Sequence, residues 1–169
     1  ARAAHWLAER ELFEEAAQHA RLAGDETFAF DLVERCLYGI MTQGRVSRVL
    51  EWLEHLPQEE IRRRPQLCIA TGWALAQGER HAEAAALVAP IMDDPAVELA
   101  RRCEAAEICA TAAFFNDDFD RLRDYMSPWR VALQNQPTHQ QIVGTNLAAA
   151  LELFHRTPEN ANHLLQRLR

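Results

Sequence analysis

The spacing of apolar residues constrains this chain more than anything else in it. From Phe28 onward they fall at Ala29, Leu32, Val33, Cys36, Leu37 and Ile40, which places them as one stripe along one face of an α-helix. Val46, Val49, Leu50, Leu53 and Leu56 repeat the pattern, as do Ala84, Leu87, Val88 and Ile91. No stretch sustains the two-residue alternation of a half-buried strand, so the expected fold is all-α. A striped helix must bury its stripe against another element, and in such a chain that element is the next helix.

The breaks between stripes carry helix-ending chemistry. Leu22-Ala23-Gly24-Asp25 and Thr42-Gln43-Gly44-Arg45 read as helix C-termini closed by a glycine in the left-handed region. Gln77-Gly78-Glu79-Arg80 reads as a third case, and Asn116 of Asn116-Asp117-Asp118 takes the same role. Pro57, Pro65, Pro95, Pro137 and Pro158 fall near expected helix starts, where a missing N–H costs least. Pro90 and Pro128 lie inside apolar patterns and should kink or end a helix. The expected helices cover roughly residues 2–9, 11–23, 25–43, 45–56, 65–77, 80–93, 96–115, 118–134, 138–155 and 159–168, with a short helical turn over 58–64.

The breaks recur: 34 positions separate Gly44 from Gly78, and 38 separate Gly78 from Asn116. Helix pairs at that period predict an α-α superhelix of antiparallel hairpins of tetratricopeptide-like repeats. Gly72, Leu75 and Ala84 fall near that repeat's small, bulky and small positions, where crossing helices need a small residue and the neighbouring hole a large one. A single helical-repeat domain over residues 1–169, part of a larger multidomain protein, is the expected organisation.

Composition narrows the chemistry. Hydrophobic residues are 49% and charged residues 25%, a globular balance that argues against disorder. The net charge is −7 and all 18 basic residues are arginine, so the surface repels phosphate backbones and no DNA contact is expected. The absence of lysine removes a Walker-type phosphate-binding lysine and a Schiff-base lysine. Cys36, Cys68, Cys103 and Cys109 sit singly inside apolar patterns, where a thiol serves as a small hydrophobe in a reducing cytoplasm. No apolar run reaches the length of a membrane span, and a membrane contact is not expected.

Several clusters invite chemistry. Asp117, Asp118, Asp120 and Asp124 could share a hard cation, or could form an acidic helix start with Asp117 or Asp118 as the cap. Glu152-Leu153-Phe154-His155 is half of a di-iron pattern that lacks its second copy. His81-Ala82-Glu83 opens like a zinc deaminase motif without the Cys-x-x-Cys that must follow. No catalytic, cofactor or metal residue is therefore expected, and the segment is expected not to be an enzyme. The candidates for contact with a partner or ligand are Arg62, Arg63 and Arg64, the densest basic run, and Phe115, Tyr125 and Trp129. These three belong to an aromatic crowd that includes Phe114 and Phe119; packing into an inter-repeat core is the alternative for them.

Leu50-Glu51-Trp52-Leu53, Leu56-Pro57 and Arg64-Pro65-Gln66-Leu67 together resemble a segment of the MalT-like regulators, the large ATP-binding transcriptional activators of the LuxR family. His5-Trp6-Leu7, Glu14-Glu15-Ala16, His19-Ala20 and Ala23-Gly24-Asp25 are similar to that family's opening helices, and Trp73-Ala74-Leu75 and Gly78 through Leu87 extend the similarity. The resemblance spans roughly residues 1–90. It implies an upstream domain that binds ATP, a helix-turn-helix far downstream, and a sensor role for the helices between. Other domains of the parent chain, a small-molecule inducer or a regulatory protein would be the partners, in a bacterial cytoplasm. The alternative is a free-standing tetratricopeptide-type scaffold for protein–protein interaction.

Overall fold

In a computed structural model, residues 2–127, 138–154, 159, 160 and 166 are described. The described residues form ten α-helices and no strand: α1 Arg2–Ala8, α2 Phe13–Leu22, α3 Glu26–Thr42, α4 Val46–Leu53, α5 Gln58–Arg63, α6 Pro65–Gln77, α7 His81–Met92, α8 Leu99–Phe115, α9 Phe119–Met126 and α10 Thr138–Phe154. Trp129, His155, Pro128, Pro137, Pro158 and nearly all of the helix expected over 159–168 lie outside the described residues. No described helix is long and apolar enough to cross a membrane. The helices divide into two compact units, Ala1–Gln77 and Gly78–Arg169.

One corner recurs. A backbone N–H reaches back five residues at Leu12 to Leu7, Asp25 to Ala20, Arg45 to Ile40 and Asp118 to Ala113, closing the helix before it. The residue just before each of these donors has positive φ: Glu11, Gly24, Gly44 and Asp117. The donor then serves as N-cap of the next helix. Gly24 and Gly44 close their helices as expected, whereas the corners expected at Gly78 and Asn116 shift by a residue. Glu79 (φ 61) takes the left-handed role rather than Gly78, and Asp117 (φ 56) takes it rather than Asn116. The backbone fixes which position after the helix turns left-handed, and at these corners a side chain occupies it at a cost of about 1 kcal/mol.

Asp25 and Asp118 cap α3 and α9 by accepting from the N–H of Phe28 and of Arg121. Pro57 is the N-cap of α5 and Pro65 is the first residue of α6. Helix α8 begins at Leu99, later than expected, because Asp94 holds 94–97 in a turn: its carboxylate accepts from the N–H of Ala96 at 2.9 Å and its carbonyl from that of Val97. Pro90 lies inside α7, which ends two residues later at Met92.

Each unit has a central helix. In the first, α6 packs on α3, α4 and α5, and every residue from Leu67 to Ala76 is buried. Leu32, Leu37, Ile61, Leu67 and Ile69 are fully enclosed around it, each contributing about 1.5–3 kcal/mol of burial. In the second, α8 packs on α7, α9 and α10. There Cys103, Ala110, Ala113, Leu122, Met126 and Leu147 form a core, with Phe114, Phe119, Tyr125, Val143 and Leu151 against it.

Candidate functional site

Small residues open a groove in the second unit. Ala82, Ala85, Ala86 and Ala89 recur on one face of α7, and Cys109, Ala112, Ala113 and Asn116 do so at the end of α8. With no side chain longer than Cβ along the alanine faces, α7, α8 and α9 enclose an open groove of about 420 Å³. Asp118, Arg121 and Tyr125 complete its lining from the α9 side. This is the size of a ligand site, and a small set of polar groups faces an apolar floor.

Those polar groups have capacity to spare. Among the described residues the side-chain amide of Asn116 and the hydroxyl of Tyr125 carry no hydrogen bond. Pro90 has no N–H to offer the carbonyl of Ala86, which therefore lacks its usual helical donor. Asp118 is already engaged, capping α9 and pairing with Arg121 at 3.4 Å. Burial raises the pKa of Tyr125, so its hydroxyl keeps its proton.

A run of aromatic rings links the start of α7, the end of α8, the start of α9 and the end of α10. His81 at the start of α7 stacks on Phe115 with centroids 4.4 Å apart and planes 6° off parallel. Phe115 meets Phe114 edge-on, Phe114 meets Phe119 edge-on, and Phe119 stacks on Phe154 at 4.1 Å. Phe115 is 60% exposed and Phe154 53%, so the run reaches solvent at these two rings. Tyr125 and Phe115 are thus both set in the second unit, one in the groove wall and the other at the end of α8.

The three arginines belong to the first unit and have different fates. Arg62 is exposed. Arg63 pairs along its own helix with Glu59 and Glu60. Arg64 turns inward to three carboxylates, Asp31 at 2.8 Å, Glu34 at 2.9 Å and Glu60 at 3.5 Å, and so ties the start of α6 to α3 and α5. A guanidinium committed in this way is a fastener between helices rather than a free contact. The first unit also has a small cavity of about 20 Å³, lined by Gln18, Arg21, Arg48, Glu51, Trp52 and His55. It has room for one water beside the unpaired Nε1 of Trp52.

The other motifs resolve locally. Asp118 is the cap, and Asp120 and Asp124 pair with Arg123. Glu83 pairs with Arg80 at 2.7 Å. Among the described residues no group of three or more His, Cys, Asp or Glu side chains could hold a metal ion. Burial pushes the thiols of Cys36, Cys68 and Cys109 up to about 12 and that of Cys103 up to about 11, so they stay protonated and unreactive.

Sequence reasoning passed over two residues at the centre of the second unit. Glu104 and Glu107, a turn apart on α8, are both fully buried. Glu104 pairs with Arg101 at 3.0 Å. Neither carboxylate oxygen of Glu107 has a partner, and burial together with the nearby Glu104 pushes its carboxyl up to about 9. The signal was present in the pattern, since Glu107 falls on the stripe between Cys103 and Ala110.

The chain is similar to the serine/threonine-protein kinase PknK of Mycobacterium tuberculosis and of Mycobacterium bovis, at 30% identity over 135 residues. The match covers 75% of this chain and 12% of the kinase, so the chain spans only a small part of the relatives it matches. No protein-family model matches the chain. No solved structure matches it.

Proposed function

We propose that this chain is the regulatory, non-catalytic helical-repeat segment of a larger signalling protein, of the kind found in the LuxR-family ATP-dependent activators that it resembles. The observation that carries this reading is the groove on α7, α8 and α9, with its alanine floor and its open hydrogen-bonding groups. An effector or protein segment seated there would bridge three helices and favour the arrangement in which they fit it best. Couplings of this kind amount to about 1–3 kcal/mol, enough to bias a resting state towards an active one. The ATP-binding and DNA-binding parts would lie elsewhere in the parent chain.

The similarity to PknK favours a second reading, a protein-binding scaffold joined to a kinase. The catalytic lysine that a protein kinase needs could not come from this segment, which has no lysine. The parent gene separates the two readings: a Walker motif upstream with a helix-turn-helix downstream supports the activator, and kinase motifs support the scaffold. Groove function is tested by Ala86→Trp in the full-length parent, which fills the groove from an exposed position. The response to effector should fall sharply while the melting temperature holds. An unchanged response would remove the groove from the mechanism.

A further inference from the structure

We infer that the first unit binds a small monocarboxylate between α2 and α4, independently of the groove proposed above. The cavity there is lined by Gln18 and Arg21 of α2 and by Arg48, Glu51, Trp52 and His55 of α4. These positions lie three, four and seven apart, so each helix presents one face to it. Trp52 is 4% exposed, and its buried Nε1–H, which can only donate, has no acceptor among the described residues. An enclosed donor of this kind calls for an acceptor from outside the chain. At about 20 Å³ the cavity admits one oxygen atom.

Charge selects the kind of oxygen. Glu51 lines the cavity but is held by Arg48, which also holds Glu14, and Arg45 pairs with Glu14 in turn. Those two arginines and two glutamates balance one another. Arg21 is left over: it has no carboxylate partner among the described residues, and its guanidinium lies 5.9 Å from the centre of the Trp52 ring. One open N–H and one unmatched positive charge, on neighbouring helices, fit a monoanion with two oxygens. One oxygen accepts from Trp52 Nε1 and the other from Arg21, in charge-assisted hydrogen bonds. The side-chain amide of Gln18, without a hydrogen bond among the described residues, adds a further donor. A phosphate dianion would set a second negative charge near Glu51 with no cation to match it. A neutral amide would leave Arg21 unmatched.

The test is a proton–nitrogen correlation spectrum of the chain's four indole N–H groups, with Trp52→Phe identifying the Trp52 signal. Titration with acetate at constant ionic strength should move that signal downfield and saturate in the millimolar range. Acetamide, which has the same shape without the charge, should leave the signal in place. Phosphate and chloride should each bind at least about fivefold more weakly than acetate. Arg21→Gln, at an exposed position without an ion pair, should keep the melting temperature and weaken acetate binding roughly tenfold. A Trp52 signal that acetate does not move would overturn the inference, and so would equal acetate binding by Arg21→Gln. An equal response to acetamide would show an acceptor site indifferent to charge and overturn the anion class. Phosphate or chloride binding as tightly as acetate would overturn the carboxylate.

Discussion

The two central helices are built on opposite principles. Helix α6 is enclosed from Leu67 to Ala76 with Thr71 as the buried polar side chain, and Thr71 gives its hydroxyl proton to the Leu67 carbonyl at 2.8 Å. Helix α8 encloses two glutamates, one of them with both oxygens unpaired. Around α6 and its neighbours, arginines reach between helices, Arg64 to Asp31 and Glu34 on α3, and Arg48 on α4 to Glu14 on α2. Around α8, the pairs at Arg80–Glu83, Arg121–Asp118 and Arg123–Asp120 link near neighbours along the chain. The first unit is fastened across its helices. The second has cavity-forming small residues and a strained polar group at its centre, features that cost stability and leave room for a ligand to restore it.

The largest expected effect tests the strained centre. The Glu107 carboxyl is neutral in the fold up to about 9, while the unfolded chain ionises it above its ordinary value of 4.5. Its folded value is raised, so this contribution to stability is complete below the unfolded value and is lost as pH climbs towards 9. Glu107→Gln removes that loss and should stabilise the protein at pH 8 by up to about 4 kcal/mol. At pH 4 the gain should disappear; denaturant unfolding of both proteins across this range measures it. A gain that does not vary with pH would mean that Glu107 is ionised in the fold.

Next in size is the fastener. Arg64→Ala leaves Asp31, Glu34 and Glu60 facing one another and should cost about 2–3 kcal/mol in chemical denaturation. Arg123→Ala, which removes two exposed pairs in the second unit, should change stability by no more than about 0.5 kcal/mol. Equal losses would erase the contrast between the units. Between these lies the corner at Glu79: Glu79→Gly relieves a left-handed glutamate and should stabilise by about 1 kcal/mol. Gly44→Ala, at φ 76, should cost a similar amount, and thermal melts of the pair give both signs.

Much of this was visible in the order of residues. The ten described helices follow the apolar stripes because a 3.6-residue repeat forces like residues onto one face. Gly24 and Gly44 marked their corners because only glycine enters the left-handed region without cost. Glu79 and Asp117 were missed because a residue that tolerates strain leaves no compositional mark. The start of α8 was placed too early because the Asp94 turn depends on a side chain folding back onto its own backbone.

The sequence by itself determined that the chain is helical, that Gly24 and Gly44 close two of its helices, and that it has no lysine for phosphate or imine chemistry. Local spacing and backbone sterics suffice for that. Tertiary structure alone decided that Arg64 faces inward, that Glu107 is enclosed without a partner, and that the alanines of α7 and α8 open a groove rather than close a seam. Each of these depends on what lies opposite, and a neighbour brought from many residues away leaves no trace in the local pattern.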